Sequence, residues 1–387
     1  MKDGKRVILH VTFDGILFDT LSASFNRLDE YTNRYIILRS YINDGIKYIS
    51  DPGQLIIAES LYELKECLRH PDIDIVFFHG IWPEFYDCYD SIRDEVITIW
   101  YCYGKELYEI VPGYPVLLRQ RLFRPYTFWS YYKDYIKRFH FIRSIIGRVL
   151  PCYDLLRGNT NRRKLISRMD YIQTPLKIEY EMLKQHSFFR AKPFRMEGKG
   201  IIPDKEKLVF HKEAGGILIN HSAAYTNNHL DVLRVLSHLH IKERTLLFPI
   251  VYGYKKVKEI VKEYKGLDGN KSVFIEDRLP LEEYEALMGS CTHAIYGTLR
   301  QQALGNIFNC FRTGVKVFLY KKSMNYRQFI KDGFYVYAIE EMSLSDLSTP
   351  LSKEEAIHNN TLFYALYAAP QNYLQMQLDA LYERTND

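Results

Sequence analysis

The sequence lacks most of the signatures that assign a chemistry outright. It has no HExxH, no Walker Gly-Lys-Ser/Thr, no GxSxG and no EF-hand loop. Those absences remove the helical zinc-protease site, the P-loop NTPase, the hydrolase elbow and the calcium hand. Its six cysteines, Cys67, Cys88, Cys102, Cys152, Cys291 and Cys310, form neither a CxxC pair nor a zinc-like spacing. Several lie in apolar runs, so they are expected as buried free thiols in a reducing compartment. The start, MKDGKRVILHVTFDG, runs straight into a strand, and no signal peptide is expected. No run reaches the roughly 18 apolar residues that span a bilayer. The expected location is therefore cytoplasmic, unless the protein adheres to a membrane surface. Solenoid-period repeats and low-complexity tracts are also missing. An Asp-x-Asp able to hold a metal-bound diphosphate occurs only as Asp72-Ile73-Asp74, which leads into a strand instead of following one. No metal and no cofactor is expected.

What is present points to a soluble α/β protein. The chain has 387 residues, 47% hydrophobic and 26% charged, with a mild net charge of +5. That length accommodates two or three domains. With 32 Tyr and 22 Phe it is rich in aromatics, which suit a sugar-facing or membrane-facing surface but equally an ordinary core. Strand-like runs alternate with helical spacing. In the first half the strands are Arg6 to Thr12, Arg34 to Leu38, Leu55 to Ile57, Asp74 to Phe78, Val96 to Cys102 and Asp170 to Gln173, with helices over Ile16 to Tyr31, Ser60 to His70 and Leu176 to Gln185. The pattern then restarts after an irregular stretch, Ala191 to Lys207. Strands are expected at Gly216 to Asn220, Thr245 to Val251, Val273 to Ile275, Thr292 to Tyr296, Val315 to Leu319 and Tyr335 to Ala338. Such alternation predicts doubly wound parallel sheets. The expected domains are 1–205, 206–360 and a C-terminal helical segment, 361–387.

Ligands of doubly wound sheets sit beyond the carboxyl ends of the strands. In the second half that edge carries three loops, 220–228, 252–254 and 297–302. The last leads from strand 292–296 into a helix expected over Gln301 to Phe311. A helix N-terminus there favours phosphate. Arg300 adds a cation, and Gln301 and Gln302 add amides. Asn220, Ser222, Asn227 and Asn228 are candidates for phosphate or sugar hydroxyls, although Thr226, Asn227 or Asn228 as plain helix caps would be the ordinary reading. Tyr252-Gly253 allows a tight turn beside a ligand. In the first half, His10, Asp14, His79 and Glu106 fall on the equivalent edge. His79, His10, Glu106 and Glu109 are candidate general bases.

One segment differs in character. Over 115–151, Arg119, Arg121, Arg124, Lys133, Lys137, Arg138, Arg143 and Arg148 accompany a single acid, Asp134, and are interleaved with aromatics such as Trp129. This composition fits a helix on an anionic membrane surface. Nucleic acid and a basic helix packed on its own domain are the rival readings; nucleic acid is not the expected partner.

Taken together, FFHG at Phe77 to Gly80, IWYCYGKELYE at Ile99 to Glu109, ILINHSAAYTNNHLDVL at Ile217 to Leu233, FPIVYGY at Phe248 to Tyr254 and YEALMGSCTHAIYGTLRQQALGN at Tyr284 to Asn306 resemble family 56 glycosyltransferases. These are the TDP-4-acetamido-4,6-dideoxygalactose (TDP-Fuc4NAc):lipid II transferases of enterobacterial common-antigen synthesis. Gly104, Glu106, Leu107, Tyr108 and Glu109 match the family's Trp-Gly-x-Asp/Glu-Leu-Tyr-Glu segment, with Tyr103 in place of Trp. Ser222, Asn227 or Asn228, and His229 match its Asn- and His-containing loop, with Asn220-His221 where Gly-Asn stands. Arg300, Gln301, Gln302 and Gly305 match its Arg-Gln-Gln-x-x-Gly turn. The resemblance implies a GT-B architecture, two Rossmann-like domains facing across a cleft. It implies a dTDP- or UDP-linked sugar donor on the C-terminal domain and a polyprenyl-diphosphate-linked saccharide acceptor on the N-terminal one. It also implies a peripheral position on the cytoplasmic face of the bacterial inner membrane. The alternatives are an epimerase or phosphorylase of the same plan, or a non-enzymatic basic membrane-binding module.

Overall fold

A computed structural model describes residues 5–15, 17–108, 122–138, 154–196, 208–211, 213–367 and 372–383. Glu109 and the 115–121 and 139–151 parts of the basic segment lie outside the described residues. The chain divides into two compact units, Met1–Leu118 with Leu150–Ile202 and Ala368–Asp387, and Arg119–Val149 with Pro203–Tyr367.

Among the described residues the first unit has seven parallel strands: β1 Arg6–Thr12, β2 Tyr31–Leu38, β3 Leu55–Ala58, β4 Ile75–His79, β5 Ile97–Tyr101, β6 Tyr171–Gln173 and β7 Lys192–Pro193, in the order β3-β2-β1-β4-β5-β6-β7. β1 and β4 are apolar almost throughout because helices and loops cover both faces of a parallel sheet. The chain winds outward from β1 through β2 to β3, then crosses back to β4. This reversal leaves a crevice at the carboxyl ends of β1 and β4, where doubly wound sheets hold ligands. The helix expected over Ile16 to Tyr31 is shorter, Phe18–Phe25, and β2 takes the residues from Tyr31 onward. The helix expected over Ser60 to His70 is present as Leu61–Arg69, with Ser60 Oγ accepting from Glu63 N at 3.3 Å.

The second unit repeats the plan with, among the described residues, six parallel strands: β8 Gly216–Ile219, β9 Thr245–Pro249, β10 Lys271–Ile275, β11 Cys291–Tyr296, β12 Lys316–Leu319 and β13 Tyr337–Ala338, in the order β10-β9-β8-β11-β12-β13. Here the winding reverses between β8 and β11. Helix Leu304–Thr313 follows β11 and ends at Gly314, whose φ of +77° suits glycine. Helix Met324–Asp332, which sequence spacing did not single out, follows β12.

Two segments join units other than those the sequence suggested. The described part of the basic aromatic segment forms helix Pro125–Arg138 and belongs to the second unit. The reason is a set of buried caps. The Asp231 carboxylate accepts from Tyr126 N at 3.2 Å and Thr127 N at 2.9 Å, placing a negative charge at that helix's N-terminus. Phe123 and Tyr131 stack at 4.8 Å and pack with Tyr225 in the core of the second unit. Tyr126, Phe128 and Trp129 remain exposed. At the other end of the chain, helix Tyr373–Glu383 returns to the first unit. Leu378 and Leu381 enter the core with Ile8 and Phe25, and Tyr31 OH donates to Asp379 at 3.1 Å. Among the described residues no helix is long and apolar enough to cross a membrane.

Candidate functional site

At the reversal point of the second sheet, loop 220–228 leaves β8 and loop 297–303 leaves β11. Asn220 joins them. Its Oδ1 accepts from Gly297 N at 2.8 Å, and its Nδ2 lies 3.1 Å from His229 Nδ1. His229 Nε2 lies 2.9 Å from the Ser222 carbonyl, so Nε2 carries the proton and Nδ1 accepts from Asn220. Asn227 Nδ2 donates to the carbonyl and the hydroxyl of Ser222, at 2.5 and 3.0 Å. Asn228, at φ +50°, makes no cap to the helix that follows. It donates instead to the carbonyls of Gly297 at 2.7 Å and Leu122 at 3.2 Å, and accepts from Arg124 N at 2.7 Å. Asn220, Ser222, Asn227 and Asn228 thus spend most of their hydrogen-bonding capacity on the frame of the loops.

The 297–303 turn departs from expectation. The helix begins at Leu304, after Ala303 in a left-handed conformation, so Gln301 and Gln302 lie in the loop and not in the first helical turn. Met324 N donates to the Leu299 carbonyl at 3.1 Å and Asn325 Nδ2 to the Gln302 carbonyl at 2.7 Å. These bonds hold the loop open against the residues after β12. Arg300 is buried to 9% exposure, and its Nη1 donates to the Gln301 carbonyl at 3.2 Å. Tyr252 is exposed, with its ring 6.3 Å from that of His221. Gly253 lies against the backbone of Ala223, where a Cβ would come within 2.4 Å.

Sequence reasoning missed four residues here. His221 Nδ1, Thr298 Oγ1, Ser323 Oγ and Asn325 Oδ1 are buried atoms without a partner among the described residues, and Asn227 Oδ1 is a fifth. Gathered at one strand edge, these atoms can donate to or accept from a polar ligand or ordered water. The available signal was position alone: His221 and Thr298 each stand two residues past a strand end. Among the described residues no group of three His, Cys, Asp or Glu side chains is placed to hold a metal ion.

The reversal point of the first sheet has a different lining. Asn33 Nδ2 donates to the Phe25 carbonyl at 3.0 Å, so Asn33 Oδ1 accepts from His10 Nε2 at 3.1 Å. His10 Nδ1 then accepts from His79 Nε2 at 3.0 Å. This leaves the lone pair of His79 Nδ1 without a partner among the described residues. Burial, and then the neighbouring His10, hold the His79 pKa well below its ordinary range. Glu106 Oε1 accepts from Tyr103 N at 2.9 Å and Trp100 Nε1 at 3.3 Å, its Oε2 has no hydrogen-bond partner among the described residues, and burial raises its pKa. Asp14 accepts from the backbone of Lys47 and Tyr48. Past the strand ends, Phe13 packs edge-on against Trp82 and Tyr103, each at 5.3 Å. The indole lies against Gly80, where a Cβ would meet it at 2.6 Å.

Buried histidines make stability depend on pH. Burial lowers His10 to about 3, and His229 and His293 to about 4. Unfolded, each titrates near 6.5. Between these values the unfolded chain binds more protons, so stability is complete above about pH 6.5 and falls on acidification. We expect a loss of about 1.4 kcal/mol per pH unit for each ring over that window. Urea unfolding at pH 7, 6 and 5 measures it; a flat profile contradicts the neutral assignments.

No protein-family model matches the chain, and no curated protein matches it in sequence. Solved structures do match in fold. Sucrose-phosphate synthase from Thermosynechococcus elongatus aligns with a TM-score of 0.59 at 9% identity, over 98% of this chain and 99% of that one. A UDP-forming trehalose-phosphate synthase from Burkholderia xenovorans gives 0.57 at 8%, over 98% of both chains. WaaG, a glycosyltransferase involved in lipopolysaccharide biosynthesis, gives 0.55 at 11%, over 96% of this chain and 99% of that one. The chain has the α/β fold called GT-B, two Rossmann-like units with helices at the C-terminus.

Proposed function

We propose that this protein is a glycosyltransferase: an acceptor hydroxyl attacks the anomeric carbon of a nucleoside-diphosphate sugar, and the diphosphate departs. One observation carries the reading. Arg300 and a set of orphaned polar atoms gather at the reversal point of the second sheet, next to the start of helix 304–313. That combination suits a leaving group whose charge is met by a guanidinium, a helix N-terminus and fixed dipoles, without a divalent ion. The fold shared with two sugar-phosphate synthases and WaaG supports it.

The first sheet is read as the acceptor side. Phe13, Trp82 and Tyr103 offer apolar surface to a sugar ring. Both candidate bases keep a buried atom without a partner among the described residues, His79 at Nδ1 and Glu106 at Oε2, while Glu106 Oε1 also positions the turn at Tyr103. The motifs of the first and second halves support a narrower proposal: a family 56-like transfer of a deoxyamino sugar from a dTDP- or UDP-linked donor to a polyprenyl-diphosphate-linked saccharide. The exposed Tyr126, Phe128 and Trp129, in a strongly basic stretch, support docking on an anionic inner-membrane surface at its cytoplasmic face.

Thermal denaturation with dTDP, UDP and GDP tests the core of the proposal. Binding at a hundred times Kd adds about 2.7 kcal/mol, so at least one diphosphate should raise the Tm by several degrees. Indifference to all three overturns it. Mass spectrometry of reactions with dTDP-linked deoxyamino sugars and a polyprenyl-linked acceptor tests the narrower form.

A further inference from the structure

We propose that His221 is the neutral hydrogen-bond donor of the second unit's site, presenting a protonated Nδ1 to a phosphoryl oxygen of the nucleoside diphosphate. The proposal rests on the reading of that strand edge as a diphosphate site. It adds a residue, an atom and a protonation state.

The tautomer follows from a short relay. The Thr226 hydroxyl donates to Gln302 Oε1 at 3.0 Å, which fixes the orientation of the amide. The amide nitrogen then faces His221 Nε2 at 3.2 Å. An amide NH2 only donates, so Nε2 must be the bare, accepting nitrogen. The Ser222 hydroxyl, 3.5 Å from the same Nε2, is compatible with this, because its oxygen already accepts from Asn227 Nδ2. A neutral imidazole carries one N–H, and here it falls on Nδ1. That atom is buried and has no partner among the described residues.

The ring stays neutral. Burial foremost, then Arg300 and His229 nearby, lower its pKa to about 3. Neutrality is useful beside Arg300. A second cation would repel the guanidinium while the site is empty and would hold the spent diphosphate more tightly after transfer. A neutral N–H adds direction to Arg300's charge without either penalty. The orphaned donor is a cost in the empty protein that an arriving phosphoryl oxygen removes.

Two measurements on the full chain test this. The first is nitrogen NMR of protein labelled with 15N-histidine, with His221 assigned by its loss in H221N. We expect a protonated Nδ1 and a bare Nε2, and a shift of the Nδ1 signal on adding dTDP. A proton on Nε2 overturns the proposal. The second is calorimetric titration with dTDP, UDP and GDP. The amide nitrogen of Asn reaches the place of imidazole Nδ1, and that of Gln the place of Nε2. H221N should therefore keep affinity within about threefold, while H221Q and H221F lose about ten- to a hundredfold. Thr226→Val, which releases the relay, should weaken binding in the same direction, and Thr226→Ser should restore it. Equal binding by all variants overturns the role of His221 and leaves the diphosphate site standing. If the wild-type protein binds none of the three diphosphates, the proposed function fails and this inference fails with it.

Discussion

Replacing Arg300 by Ala should lower the rate of sugar transfer by about a hundred- to a thousandfold, the size of effect seen when one preorganised donor to a developing anion is removed. Affinity for the nucleoside diphosphate should fall by at least about tenfold, since a charge-assisted bond is among the stronger single contacts. Both effects are expected because Arg300 is already buried at the strand edge, so it needs little ordering when ligand arrives. Arg300→Lys should recover only part of the loss, because an ammonium lacks the planar fork that meets two phosphate oxygens at once. Steady-state kinetics beside calorimetry would separate rate from affinity. An Arg300→Ala enzyme that transfers and binds within a few-fold of wild type removes the second-unit site from the mechanism.

Gly297→Ala should be nearly as damaging, for a steric reason. The new Cβ would stand 2.3 Å from the Asn227 carbonyl oxygen and 2.7 Å from Val232 Cγ2. The first neighbour is backbone, held in a loop that Asn220 and Asn228 already tie to Gly297. It has no free direction in which to yield. We expect about 3 kcal/mol of destabilisation, a Tm lower by roughly 6–12 °C, and weakened diphosphate binding. Gly289→Ala is the matched control. Nothing lies within 4 Å of a Cβ there, at the end of helix Leu281–Gly289, so stability should change by no more than about 1 kcal/mol. Similar melting curves for the two variants would show that the two loops separate more easily than their hydrogen bonds imply.

The strands were legible because burial on both faces writes itself as a run of apolar residues. β1 was placed to the residue, and β4, β5, β8 and β11 within one or two positions. Loops were harder, because their conformation is decided by partners remote in sequence. Gln301 and Gln302 belong to a stretch rich in helix formers, yet bonds from Met324 and Asn325 keep the stretch irregular until Leu304. Nothing local to RQQALG announces those partners. Ser222 and Asn227 looked like ligand groups because they are polar and follow a strand; in the fold they chiefly bond each other. Asn220 and Asn228 carried a fairer hint. Asn tolerates the left-handed conformation better than most residues, and both adopt it. The pairing of His10 with His79 was beyond reach of the sequence, since it depends on β1 and β4 being neighbours. Helix Met324–Asp332 was readable in principle, with Gly333 closing it at φ +92°.

The side chain of Asn228 has a consequence for how this unit responds to its surroundings. One carboxamide grips the Gly297 carbonyl on one side and the Leu122 carbonyl and Arg124 amide on the other. The entry to helix 125–138 and the exit of β11 are therefore fastened to a single rivet. The exposed Tyr126, Phe128 and Trp129 stand in the first turns of that helix, and Gly297 stands three residues before Arg300. If the proposed surface docking and diphosphate site both hold, seating those rings should also alter the loop that carries Arg300.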